Sequence, residues 1–129
     1  MKRRTGVFIT ALLVSISLAG CGKKETAASY QTISPEDAKA MMEEEEVTIL
    51  DVRTAEEYAE AHIGDAINIP NEEIGTNEIK ELPDKDETIL VYCRSGRRSA
   101  QAAQKLAALG YTGVYDFGGI IDWPYETVK

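Results

Sequence analysis

Two nearly continuous apolar runs constrain the fold of this chain more than any other feature. They are VTILDV at 47–52 and ETILVY at 87–92, and both are rich in β-branched or aromatic residues. A strand with this pattern is covered on both faces, as in the middle of a parallel sheet. Helix signals lie between the strand-like runs, and such alternation forms right-handed βαβ units. The chain is therefore predicted to be an α/β protein, with a central parallel sheet of about five strands and helices on both faces.

Capping residues mark the predicted helices. Ser34 precedes Pro35, which is a typical start for a helix. Thr54 and Glu57 have the spacing of a capping box, and Gly110 is suited to end a helix. The predicted helices run from 35 to about 44, from 54 to about 61 and from about Ser99 to 109, and 71–82 is predicted to form one or two short helical turns. The outer strands are predicted at 30–33, 66–70 and 113–117.

The first twenty residues have the order of an export signal. Lys2, Arg3 and Arg4 form a basic head, 7–18 is an apolar run, and Leu-Ala-Gly precedes Cys21. Such a run is too short for a comfortable permanent span, and its order matches a secretory signal. The segment also resembles the lipobox of bacterial lipoprotein precursors, which implies cleavage before Cys21 and a diacylglyceryl group on it. An uncleaved anchor is the alternative.

This interpretation divides the chain into three parts. They are a lipoprotein signal peptide at 1–20, a lipidated cysteine and tether at 21–29, and a single domain at 30–129. With or without cleavage, the domain is expected outside the cytoplasm. The lipid on Cys21 would anchor it to the bacterial cell membrane.

Charge and cysteine content exclude several classes of function. The formal net charge is −8, and removal of 1–20 takes away three of 14 basic residues and none of 22 acidic ones, which leaves −11. Nucleic acid is therefore not an expected partner, because its binding depends on Lys and Arg. With Cys21 lipidated, Cys93 is the only free thiol. Neither a disulfide framework nor a zinc site is expected, and no cofactor is suggested.

Cys93 is the strongest candidate for a reactive group. It ends the 87–92 run, and the carboxyl ends of parallel strands form the ligand crevice of open α/β sheets. Arg94, Arg97 and Arg98 follow within five positions, just before a predicted helix. The positive end of that helix would favour a thiolate without a neighbouring base. The one histidine, His62, is expected to pack or cap a helix end, with a catalytic role as the alternative. A buried, inert cysteine is the competing interpretation.

Three segments resemble the rhodanese-like sulfurtransferases. CRSGRRS at 93–99 is similar to the six-residue active-site loop of that family and the residue after it. LDVRTAEEYAEAHIGDAINIP at 50–70 is similar to its first signature, and GYTGVYDFGGIIDW at 110–123 to its closing segment. Ala61 and Asp65 depart from the pattern, where glycine is usual at both positions. The resemblance covers about residues 30–129 and implies a rhodanese-like domain.

The resemblance implies an enzyme that transfers sulfane sulfur through a persulfide on Cys93. The donor would be a small sulfur-containing anion such as thiosulfate, and the acceptor would be cyanide or a thiol. Asp51 and Arg53 are expected to support the structure by an ion pair or hydrogen bonds. The loop residues expected to bind the donor are Arg94, Ser95, Gly96, Arg97, Arg98 and Ser99. A monomer is expected.

Two other functions remain open at this stage. One is a phosphatase or arsenate reductase of the same fold, which needs arginine at the sixth position after the cysteine. This chain has Ser99 there, and it has Tyr92 where those enzymes usually have histidine. The other is a binding module that keeps the fold without catalysis, because fold alone does not determine function.

Overall fold

The computed structural model describes residues 29–129. The predicted signal peptide at 1–20, the lipidation of Cys21 and all of the tether except Ser29 lie outside the described residues. No helix within 29–129 is both long enough and apolar enough to cross a bilayer.

The predicted parallel sheet is confirmed. Its five strands, all paired in parallel, lie in the order β1-β5-β4-β2-β3. β2 and β4 are thus central, as their apolar runs require. The strands are β1 (Gln31–Thr32), β2 (Thr48–Asp51), β3 (Ile67–Asn68), β4 (Thr88–Cys93) and β5 (Gly113–Gly119).

Helices cover both faces of the sheet, also as predicted. They are α1 (Pro35–Glu44), α2 (Ala55–Glu60) and α3 (Arg97–Ala108), with 3₁₀ turns at Asn71–Glu73 and Ile120–Asp122. The Ser34 side chain caps α1, and the capping box of Thr54 and Glu57 opens α2. Gly110 follows the end of α3 with φ 101°.

The alternation of side chains along the central strands produces two separate cores. Val91 and Cys93 of β4 pack on one face, against α3. Leu90 and Tyr92 point to the other face, where α1 and α2 cover them. Every residue from Ile89 to Cys93 is therefore buried, because each face has its own helical layer.

The predicted start of α3 was wrong by two residues. The helix begins at Arg97 instead of about Ser99. Gly96 takes a left-handed conformation, with φ 105°, so the chain turns directly from the strand into the helix. Arg97 and Arg98 consequently belong to the first helical turn.

Candidate active site

Cys93 is the last residue of β4 and lies at the carboxyl end of the sheet, where it pairs with Gly119 of β5. The residue is 1 % exposed. The Gly96 N–H donates to Cys93 Sγ over 3.0 Å. The next N–H groups, at the start of α3, have no acceptor within the helix. The sulfur thus lies beside a helix end whose free amides favour negative charge.

The end of β5 presses closely against the loop that follows Cys93. A Cβ atom on Gly119 would lie 2.0 Å from the Arg94 carbonyl oxygen and 2.6 Å from Ser95 Cα, so only glycine fits there. The Ile121 N–H donates to the same Arg94 oxygen over 3.2 Å. The backbone of β5 therefore determines where the loop can lie.

The Ser99 side chain stabilises the backbone of the loop that follows Cys93. It is fully buried, and its hydroxyl lies 3.1 Å from the Gly96 oxygen and 3.4 Å from the Gly118 oxygen. The hydroxyl therefore hydrogen-bonds to the backbone of both the loop and β5. A buried serine occupies the position at which the phosphatase class requires an arginine.

The three arginines near Cys93 have different surroundings. Arg94 and Arg97 are exposed. Arg98 is partly buried and pairs with Glu57 of α2 through bonds of 2.8 and 3.0 Å. Sequence reasoning missed this partner. The capping box marks Glu57 as a helix residue, but nothing in the sequence links it to a position 41 residues away.

The Arg98–Glu57 pair is strongly coupled. Hydrogen bonds from Arg98, assisted by those from Thr54, lower the pKa of Glu57 to about 2 against the opposing effect of burial. The hydrogen bonds to Glu57 also raise the pKa of Arg98 above its usual value. Each partner therefore stabilises the charged form of the other.

Asp51, at the end of β2, and Arg53 form a buried ion pair near the end of β4 that carries Cys93. The Arg53 Nη2 lies 2.6 Å from Asp51 Oδ2 and 2.7 Å from the Ala61 oxygen. Although burial disfavours its charge, the hydrogen bonds to Asp51 raise the pKa of Arg53. The pair thus ties the end of β2 to the segment after α2.

Tyr92 joins this network directly beside Cys93, and sequence reasoning missed its role. Its hydroxyl donates to Asp51 Oδ2 over 2.7 Å and accepts from the Ile63 N–H over 3.0 Å. Burial, together with the bond to Asp51, raises the pKa of this hydroxyl well above its ordinary value. In the sequence, only its position directly before Cys93 could have indicated that Tyr92 supports the site. Tyr92 anchors the end of β4 on the face opposite to the thiol.

His62 packs against α2 and the C-terminal segment. Its ring stacks on Tyr58 with centroids 3.7 Å apart, and Nδ1 lies 2.8 Å from the Tyr58 oxygen. Its backbone forms a bridge with Val128. Trp123 likewise packs on Phe117, with ring centroids 5.4 Å apart. Both residues therefore have structural contacts that account for their positions.

The arrangement suits nucleophilic chemistry on sulfur. It presents one thiol at the carboxyl edge of a parallel sheet, with a backbone N–H on the sulfur and exposed cations on the loop. Within residues 29–129 there is no group of three or more His, Cys, Asp or Glu side chains that could hold a metal ion.

Comparisons with known proteins agree with this geometry. The family description "Rhodanese-like domain" matches residues 34–124. Thiosulfate sulfurtransferase PspE of Escherichia coli is 42 % identical over 80 residues, which cover 62 % of this chain and 77 % of the relative. Thiosulfate sulfurtransferase GlpE of Coxiella burnetii is 34 % identical over 95 residues, which cover 73 % and 87 %.

A solved structure of a rhodanese with anions from E. coli is also similar. Its TM-score is 0.60 at 40 % identity, and the match covers 65 % of this chain and 99 % of that one. The fold and these relatives thus define an α/β domain of the sulfur-transferring class. The chain belongs to the rhodanese-like family and is a sulfurtransferase of the rhodanese type.

Proposed function

We propose that this enzyme moves sulfane sulfur from a small anionic donor such as thiosulfate to cyanide or a thiol, through a persulfide on Cys93. The observation that carries the proposal is the contact between the Gly96 N–H and Cys93 Sγ, 3.0 Å long, at the start of α3. A hydrogen bond donated to the sulfur and a nearby helix N-terminus both stabilise the thiolate, which is the nucleophilic form of cysteine. The relatives named as thiosulfate sulfurtransferases support the choice of donor.

In the first half-reaction the Cys93 thiolate attacks the outer sulfur of thiosulfate. An S–S bond forms on Cys93, the S–S bond of thiosulfate breaks, and sulfite leaves with the bonding electron pair. Arg94 and Arg97 are exposed beside the loop and can attract the dianion. The persulfide that remains carries its negative charge on the outer sulfur, where the amides at the start of α3 can stabilise it.

In the second half-reaction an acceptor removes the outer sulfur. Cyanide attacks that atom, a C–S bond forms, the persulfide bond breaks, and the Cys93 thiolate is regenerated. The chemistry needs no metal and no organic cofactor, because each step is a displacement at sulfur. A monomer carries every group named here, and we expect the enzyme to act as one.

Incubation of the domain with thiosulfate should increase its intact mass by one sulfur atom, because without an acceptor only the first half-reaction can occur. Cyanide should remove that mass and release thiocyanate. Sulfate is the matched control, because it is a dianion without sulfane sulfur and should add nothing. Absence of a mass gain with thiosulfate would contradict the proposed donor, and a gain that cyanide leaves in place would contradict the persulfide.

We further propose that a lipid on Cys21 anchors the domain to the cell membrane on its extracytoplasmic side. The sequence around Cys21 supports this, because small residues precede it after a basic head and an apolar run. Two acyl chains on one residue hold a protein stably at a bilayer, whereas one chain does so only marginally.

Replacement of Cys21 by serine should remove the mature protein from the membrane fraction, because serine cannot carry the thioether-linked lipid. Immunoblots of fractionated cells would show the protein as precursor or as released material. The Cys93→Ala variant keeps the segment around Cys21 intact and should fractionate with the wild type. If the wild-type protein is already free in the medium, the anchor does not exist.

A further inference from the structure

We propose that Glu57 is a specificity-determining residue of this site, which holds Arg98 and cancels its charge, so that the enzyme discriminates among sulfur donors by their charge. This inference rests on the proposed sulfur transfer through Cys93. It assigns a function in donor selection to a residue of α2, outside the loop that surrounds the thiol.

The Glu57 carboxylate is engaged on both oxygens. Oε1 accepts from Arg98 Nη1 over 2.8 Å, and Oε2 accepts from Arg98 Nη2 over 3.0 Å. Oε1 also accepts from the backbone N–H and the hydroxyl of Thr54, both over 3.1 Å. A two-bond pair of this kind fixes the direction of the guanidinium as well as its distance. Glu57 thus holds Arg98 and caps α2 at the same time.

Arg98 lies within electrostatic range of the thiol. It occupies the first turn of α3, whose start provides the N–H on Cys93 Sγ. Besides the hydrogen bonds to Glu57, electrostatic interactions with Cys93 and Glu72 contribute to the raised pKa of Arg98. The side chains of Arg98 and Glu57 are 29 % and 28 % exposed, so neither charge is fully screened by water.

The pairing limits the positive charge that a donor meets. Of the three arginines near Cys93, Arg94 and Arg97 are exposed, and the charge of Arg98 is offset by the Glu57 carboxylate. Coulomb attraction grows in proportion to the charge of the donor. An added unit of positive charge at the pocket would therefore favour a dianion such as thiosulfate over a monoanion. By preventing this, Glu57 keeps monoanionic donors, such as organic persulfides, competitive with thiosulfate.

The Glu57→Gln variant tests this inference with two donors of different charge. Glutamine can keep the capping box, while the carboxylate charge is lost. The donors are thiosulfate, a dianion, and benzenethiosulfonate, a monoanion that loses its outer sulfur to the thiolate and leaves as sulfinate. At low ionic strength the second-order rate constant of sulfur uptake should rise on the order of fivefold for the dianion and about twofold for the monoanion. The KM for thiosulfate should fall more than turnover changes, and added salt should reduce both gains.

Glu56→Gln is the matched control. It removes the same charge from the neighbouring, exposed position of α2, which forms no ion pair within residues 29–129. Its effect should be much smaller than that of Glu57→Gln. In an Arg98→Gln background, Glu57→Gln should lose most of its effect, because no cation is left to be freed.

Equal changes for both donors, or a loss of activity with both, would overturn the inference and leave Glu57 with a purely structural role. The same holds if Glu56→Gln matches Glu57→Gln. Failure of the proposed function would look different, because the wild-type enzyme itself would then take up no sulfur from either donor.

Discussion

Replacement of Cys93 by alanine should reduce sulfur transfer to the uncatalysed background while the fold survives. Cys93 is the one cysteine among the described residues, and a side chain without sulfur cannot carry the persulfide. Cys93 is 1 % exposed, so removal of its thiol leaves a small void, with a cost on the order of 1 kcal/mol in the free energy of unfolding. The thiosulfate:cyanide assay, circular dichroism and urea unfolding together check this expectation.

Cys93→Ser is a useful companion to the alanine variant. Its hydroxyl can still accept the Gly96 N–H, so it preserves the hydrogen bond seen at 3.0 Å and removes only the sulfur. Both variants should be inactive, and the serine variant should be the less disturbed in structure. Measurable turnover in either one would refute the assignment of Cys93 as the nucleophile.

Replacement of Gly119 by alanine should disrupt the site from the side of β5. The new Cβ would lie 2.0 Å from the Arg94 oxygen, and because that atom belongs to the backbone, the loop or the strand must move. A shift of about 1 Å at a reacting group can cost on the order of 100-fold in rate, and we expect a loss of that size in kcat/KM. Overpacking of this kind also lowers the free energy of unfolding by about 1–3 kcal/mol.

Gly75→Ala is the matched control for this prediction. A Cβ at Gly75 meets nothing within 4 Å, so the same substitution there should leave activity and urea unfolding near those of the wild type. If Gly119→Ala behaves like Gly75→Ala in both measurements, the close approach of β5 does not hold the loop in place.

Much of the fold could be predicted because its signals are local. The central strands β2 and β4 were marked by their apolar runs, and α1 and α2 by Ser34 and by the capping box of Thr54. These signals depend on neighbours within four or five residues, so they are readable along the chain. The start of α3 was misjudged because it depends on the left-handed turn at Gly96. Glycine permits that conformation but does not require it.

By itself the sequence determined the class of fold, the candidate nucleophile and the composition of the loop around it. Only the tertiary structure decided what surrounds them. The sheet order places β2 beside β4, so that Asp51 and Arg53 lie next to Tyr92. Likewise, α2 lies near enough to α3 for Glu57 to form an ion pair with Arg98. The contacts of Tyr92 with Asp51 and of Arg98 with Glu57 join residues that are far apart in sequence. In a chain this rich in acidic residues, the sequence alone does not show which of the carboxylates each of these side chains binds. Strand order and helix packing select among them, because a short charge-assisted hydrogen bond forms only where the backbone has already brought its two ends together.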